Sequence, residues 1–322
     1  MRRRKLVLGA AALAPAAQAQ PAQPPRGAVL RLIIPFPAGG PTDAIGRLIA
    51  GPIGQHLGQT VVVENRAGAG GNVGAEAAAR AGPDGNTIAV TSVATHGIGP
   101  ALYPRLAFDP VRDFASIGMI HASPLVIVVN SGVSARTLAD LVRMAKEKPG
   151  EIGYATSGNG TSPHATGEMF AGEAGIRWQH VPYRGSAPAI VDVLAGTVPV
   201  LIDNLISTIE HIKGSRLRAL AVTTPSRAPL LPEVPTVAEQ GFPGFSASSW
   251  MALAAPARTP DVAIGRLNAA LNVALAQPEV RRGMLALGAV PVGGSPAELD
   301  AFIHAEMAKW AAVVQRSRMR LD

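Results

Sequence analysis

Three hundred and twenty-two residues suffice for two domains of ordinary size, since a single core stops growing at about 250–300 residues. Hydrophobic residues make up 48% and charged ones 16%, which excludes a disordered or nucleic-acid-coating chain, and the lack of cysteine excludes disulfides, thiolate metal sites and a catalytic thiol. The formal charge of +7 gathers at the start: residues 1–19 hold four basic and no acidic residues, so 25 basic against 22 acidic remain beyond them, a net +3. Met1-Arg2-Arg3-Arg4-Lys5 precede an uncharged run from Leu6 to Ala17 and a small-residue pattern, Ala17-Gln18-Ala19. This predicts a secretory signal peptide over 1–19, because twelve apolar residues fall short of the roughly 20 that span a bilayer. Both the general and the twin-arginine export routes fit it. A proline-rich leader is expected over 20–28.

Beyond the leader, short β-branched runs alternate with longer amphipathic stretches. Strands are predicted at Val29–Pro35, Thr60–Glu64 and Asn86–Ser92, with helices at about Thr42–His56 and Asn72–Ala81. Further strands fall at Leu125–Asn130, Ile152–Thr156, Trp178–Val181, Val198–Asp203 and Leu217–Thr223. The helix near Arg136–Lys148 carries Leu138, Leu141, Val142 and Ala145 on one face, and a last helix is predicted over roughly Pro296–Arg316. This alternation argues for an α/β fold of mainly parallel sheets covered by helices. His121-Ala122-Ser123-Pro124 and the proline-rich stretch Thr224–Pro235 look like crossings between two lobes. The pattern permits a middle lobe interleaved between the two ends, or two lobes in simple succession.

Chemistry concentrates where strands hand over to helices. Pro37-Ala38-Gly39-Gly40-Pro41-Thr42-Asp43 joins the first strand to its helix, and glycine there lets the chain turn with its amides unobstructed. A helix N-terminus adds unpaired N–H donors and roughly half a positive charge, together a receptor for a carboxylate. Ala67-Gly68-Ala69-Gly70-Gly71-Asn72 repeats the arrangement. It is not a dinucleotide fingerprint, because the acid ahead of the following strand, Asp84, falls in a turn rather than at that strand's end. Thr156-Ser157-Gly158-Asn159-Gly160-Thr161-Ser162-Pro163 offers amides and hydroxyls. Tyr183-Arg184-Gly185 adds a phenol and a guanidinium suited to a carboxylate, and Asp203 closes a strand where an amine or hydroxyl would fit. The seven histidines show no metal spacing, and no G-x-S-x-G elbow surrounds Ser157 or Ser162. Several amide-bearing turns without an acid–base–nucleophile set favour a binder over an enzyme.

Five ordered motifs, PFPAGGPTD, VVVENRAGAGGNVGAE, TSGNGTSPHATGE, VPYRGSAPAIVDVLAGTVPVLID and APARTPD, resemble the Bug family of solute receptors of tripartite tricarboxylate transporters. The likeness runs from about residue 29 to the C-terminus. It implies a periplasmic-binding-protein type II fold, with lobe 1 from 29–123 and 225–322, lobe 2 from 124–224, and a ligand cleft between them. It also implies that a small carboxylate is gripped by Pro37, Ala38, Gly39, Gly40, Thr42 and Asp43 together with Ala69, Gly70 and Gly71. The lobe-2 residues Thr156, Ser157, Asn159, Thr161, Ser162, Tyr183, Arg184, Gly185 and Asp203 would set ligand choice. Ala67 stands where the family often has proline. The resemblance implies a periplasmic monomer that serves a membrane permease, with no metal, cofactor or nucleic acid. A receptor that signals to a membrane sensor, or an exported hydrolase using Ser157 or Ser162, are the rival readings.

Overall fold

The computed structural model describes residues 28–317 and 319, so the predicted signal peptide and nearly all of the leader lie outside the described residues. The branched aliphatics of β1 (Val29–Ile34) run into α1 (Pro41–Leu57), and β2 (Thr60–Asn65) runs into α2 (Asn72–Ala79). A third strand, β3 (Thr87–Ser92), enters a π-helical turn at Val93–Ile98 that continues as the short α3 (Gly99–Leu102). These three strands pair in parallel, β1 between β2 and β3. Leu30, Leu32, Ile33 and Ile34 are fully buried, as expected of a strand with both faces covered.

The next strand, β4 (Phe114–Asn130), is 17 residues long, about 55 Å of extended chain. Beyond it the style repeats: α4 (Leu138–Glu147), β5 (Gly153–Thr156), α5 (Ser162–Ala174), β6 (Gln179–Pro182), α6 (Ser186–Leu194), β7 (Val200–Asn204), α7 (Leu205–Lys213) and β8 (Leu217–Val222). The chain then returns through β9 (Ser248–Pro256), α8 (Asp261–Ala276), α9 (Pro278–Ala286), β10 (Val290–Gly293) and α10 (Pro296–Ser317). Strand order is β2-β1-β3-β9-β4-β7-β5-β6, with β8 and β10 also on β4. The outer pairs are parallel, whereas every pair made by β4 and β9 is antiparallel.

β4 changes partners part-way along. Phe114–Pro124 pair with β9, and Leu125–Asn130 pair with β7 and β8. Pro124, which has no N–H to give a ladder, stands at the change. The chain goes back at Thr223, whose hydroxyl donates to Ala247 O at 2.8 Å and lies 3.1 Å from Leu125 O. β4 also feeds all three large cores: Ile117 and Ile120 pack beneath α1 and α8, Val126 and Val128 beneath α6 and α7, and Met119, Ile127 and Val129 in a cluster with Trp250, Phe170 and Trp310. Glu306 fastens α10 to β9 by accepting both the Trp250 and the Trp310 indole N–H, at 2.8 and 2.9 Å. No described helix is long and apolar enough to cross a membrane.

The predicted elements recur with small shifts of boundary, but the strand expected at Leu125–Asn130 begins eleven residues earlier, at Phe114. Gly118, His121, Ser123 and Pro124 interrupt its alternation, and the partner that holds it extended, β9, lies some 130 residues away in sequence.

Candidate functional site

A cleft of about 230 Å³ opens where the two groups of strands meet. Four helices begin on it. Pro41, Thr42 and Ile45 come from the first turn of α1, Thr161, Ser162 and Pro163 from the start of α5, Ser186 from α6, and Asn204 with Ser207 from α7. The end of β3 and its π turn add Ser92, Val93 and Ala94. The floor is made by the crossing strands, with His121 and Ser123 from β4 and Ser249, Trp250 and Met251 from β9. Among the described residues, no charged side chain lines the cleft. A larger hollow of about 530 Å³ around Tyr103 and Asp109 lies on the outer surface, and none of these four helices starts on it.

The convergence has a backbone consequence. Gly40, Thr161, Gly185 and Asn204 occupy the N-cap positions of α1, α5, α6 and α7, and none gives its helix a side-chain cap. Their first-turn N–H groups are therefore left to solvent or ligand. By contrast α4 is closed by a Thr137–Asp140 capping box and α10 by Ser295 with Glu298. α8 and α9 also start uncapped, so what distinguishes the cleft is that four such ends meet there.

The loop before α1 is held by a buried carboxylate. Asp43 Oδ2 accepts the Gly39 N–H at 2.8 Å, Arg47 Nε donates to both carboxylate oxygens, and Asn65 Nδ2 donates to Oδ1 at 2.9 Å. Arg47, with the Gly39 amide and Asn65 behind it, lowers the Asp43 pKa to about 2. Asn65 also donates to Phe36 O, fixing the loop at its other end. Asp43 thus faces its own loop, and the Gly39 amide is spent on it. Ala69–Gly71 stand behind Phe36. A Cβ on Gly71 would meet Thr95 Cγ2 at 2.9 Å and Phe36 Cζ at 3.2 Å, and its φ of +100° suits glycine, so close packing as well as backbone conformation requires glycine there.

On the opposite wall Thr156 is buried, with Oγ1 2.7 Å from His180 Nε2 and accepting the Gly158 N–H. His164 Nδ1 accepts the Gly160 N–H, and its ring stacks on His180 at 3.7 Å. Burial, helped by His180, lowers the His164 pKa to about 3, so the ring is neutral. Tyr183 Oη donates to Asp192 at 2.6 Å, and burial with that carboxylate raises its pKa to about 12. Gly185 N donates to Ser157 O, while Asn159 and Arg184 are exposed. Asp203 is fully buried below Ser186 and Asn204; Oδ1 accepts the Asn204 N–H, Oδ2 has no partner, and burial raises its pKa to about 6.

Of the sequence-predicted residues, Thr42, Ser157, Thr161 and Ser162 line the cleft. Pro37, Ala38, Gly39, Gly40, Ala69, Gly70, Gly71, Asn159, Tyr183, Arg184 and Gly185 do not, and Asp43, Thr156 and Asp203 lie beneath its wall. Ser92, Ser186 and Ser207 went unpredicted, although each stands at a strand end or helix start and the same rule reaches them. Ser249–Met251 carried no local signal, because β9 was not read as a strand.

A family model described as the tripartite tricarboxylate transporter family receptor, TctC, matches residues 45–319. The chain belongs to that family. It is 38% identical to protein BugT of Bordetella pertussis over 306 residues, 95% of this chain and 92% of BugT. Among solved structures, Rpa4515 of R. palustris with adipate is 33% identical with a TM-score of 0.80, covering 93% of this chain and 99% of that one. MatC of Rhodopseudomonas palustris with bound malate is 30% identical with a TM-score of 0.76, covering 89% and 98%. The solved relatives are two-lobed periplasmic binding proteins rather than enzymes, and the fold class of this family member is theirs.

Proposed function

We propose that this TctC-family chain is an exported, periplasmic solute receptor that captures a small carboxylate in the cleft and delivers it to the membrane subunits of a tripartite tricarboxylate transporter. The observation that carries this reading is the meeting of four uncapped helix N-termini in one cleft that holds no charged side chain. Backbone dipoles there oppose the ligand's negative charge, and a low-dielectric pocket makes them count for more than in water.

Lobe 1, from 29–123 and 225–322, presents α1 and the end of β3; lobe 2, from 124–224, presents α5, α6 and α7. The loops Pro37–Gly40 and Ala69–Gly71 stand behind the α1 wall as its scaffold. A carboxylate that touches both lobes binds the closed form better than the open one, and only that difference in affinity shifts the population towards closure. Relatives solved with adipate and with malate support carboxylates as the ligand class.

A thermal-shift screen of the mature protein tests the reading. A cognate carboxylic acid at a hundred times its Kd adds about 2.7 kcal/mol of stability, and the matched amides and alcohols add none. Equal shifts from neutral analogues would refute an anion receptor.

A further inference from the structure

Two buried carboxylates lie under the walls of the cleft, and they are answered differently. Asp43 is paired with Arg47. Asp203, at the end of β7, stands beneath Ser186 and Asn204, which line the cleft at the starts of α6 and α7. Its Oδ1 accepts the Asn204 N–H at 2.7 Å, the Ser186 hydroxyl helps to hold its charge, and Oδ2 has no donor within hydrogen-bond distance. No cation balances it. Glu168 on α5 is taken by Tyr154 of β5, and Asp192 on α6 by Tyr183. His164 on α5 and His121 on β4 are held neutral by burial. Glu210, His211 and Lys213 stand at the far end of α7, and Arg184, ahead of α6, is exposed. Burial dominates the acid's proton affinity, so it titrates at about 6 and is mostly ionised at neutral pH.

An anion docked on the Ser186 hydroxyl and the Asn204 end of α7 sits one layer above this acid. Two negative charges in one poorly solvated site disfavour each other strongly, and a proton can discharge the one on the protein. Protonation also changes the donor set. The Ser186 hydroxyl has a single proton, which serves Asp203 while that acid is ionised and leaves a lone pair towards the cleft. A protonated Asp203 releases the hydroxyl to donate to the ligand. We propose that Asp203 takes up a proton when a carboxylate docks on the starts of α6 and α7, so that the receptor captures anion and proton together and binds more tightly in acid surroundings. The proposal rests on the carboxylate reading above and adds how binding at that site is regulated.

Calorimetry of the mature protein in two buffers of unlike ionisation enthalpy counts the protons, with adipate, malate and every other acid that raises its melting temperature as probes. At pH 7 binding should take up about 0.4–0.9 of a proton, and Kd should be about 3- to 20-fold lower at pH 6.5 than at pH 8, a range in which these acids stay ionised. Asp203→Asn, which has the shape of the protonated acid, should take up none, bind equally at both pH values and bind more tightly than the wild type at pH 8. An Asp203 that served only the fold would instead be missed at every pH. Should the variant fail to fold, the carbon-13 resonance of the wild-type Asp203 carboxyl should titrate at least about one pH unit higher with malate or adipate bound than without. Binding without proton uptake, or a pH dependence that survives Asp203→Asn, would overturn the proposal while leaving the receptor reading intact. Silence of every acid would overturn both.

Discussion

On the α1 side of the cleft the loop from Pro35 to Gly40 is held by an ionised carboxylate, Asp43, gripped by Arg47, Asn65 and the Gly39 amide. On the α5 side the loop from Thr156 to Thr161 is held by two imidazoles, a neutral His164 accepting from Gly160 and His180 meeting Thr156. Both walls deliver uncapped helix amides to the same space. The charged clamp puts a negative group one turn from where an anion would dock, and Arg47 offsets it. With His164 neutral the imidazole clamp adds little field of its own, but it holds only while that ring stays unprotonated and free to accept from Gly160. The same backbone geometry is thus reached through two chemistries that fail under different conditions.

The largest expected effect is on the charged wall. Asp43→Ala removes charge-assisted bonds to Gly39, Asn65 and Arg47 and should cost about 4 kcal/mol of unfolding free energy by urea denaturation. Because the folded pKa is depressed, the carboxylate's contribution is present above the unfolded value of 3.8 and lost as pH falls towards about 2. Asp43→Asn, which keeps the shape without the charge, should lose less. An Asp43→Asn variant as stable as the wild type would show that geometry alone holds the wall.

The buried histidines, of which His164 belongs to the α5 wall, should give way at milder pH. His164, His96 and His121 are lowered by burial to about 3, 3 and 4 from 6.5, so their neutral forms stabilise the fold above 6.5 and that support is lost as pH falls through those values. Each deferred proton contributes up to about 1.4 kcal/mol per pH unit. Asp203 and Glu168, pushed upward by burial, act in the opposite sense and offset part of the loss. The net expectation is a fall of roughly 3 kcal/mol between pH 6.5 and 4.5, where Asp43 is still ionised. A profile unchanged by His164→Gln across that window would remove the contrast between the walls.

Asp203 sharpens the comparison from beneath the start of α7. Its folded pKa is raised to about 6, so its stabilising contribution is complete below 3.8 and is lost as pH rises through 6. Asp203→Asn should therefore stabilise the protein by about 2 kcal/mol at pH 7.5, with the gain shrinking towards zero near pH 4. A gain that does not change with pH would point to packing rather than to the buried charge.

How far the sequence revealed all this differs from wall to wall. The units β1–α1 and β5–α5 were legible because branched aliphatics end at glycine, proline and hydroxyl turns, and the strand-end rule carried Thr42, Ser157, Thr161 and Ser162 into the cleft. The start of β4 and all of β9 were not, since each is extended chiefly because the other is there. Side-chain direction was the second gap. Spacing placed Asp43 and Tyr183 in turns beside the cleft but did not say that Arg47 and Asp192 would claim them.

Arg184 brings the smallest expected effect and the finest test of the cleft's boundary. Beside a strand end, a guanidinium is an obvious partner for a carboxylate, with two parallel donors. In the structure it is exposed and outside the lining, on the turn between β6 and α6, while Ser186 two residues on faces the cleft. An exposed charge at that range is screened at physiological salt, and its pairing would be worth less than about 1 kcal/mol. Arg184→Ala should leave stability unchanged and alter Kd for a cognate carboxylate by less than about twofold at 0.15 M salt. Ser186→Ala, which removes a hydroxyl from the lining, should do more. A tenfold loss on removing Arg184 would mean that this turn reaches the ligand, so that the cleft meets the anion with a side-chain charge after all.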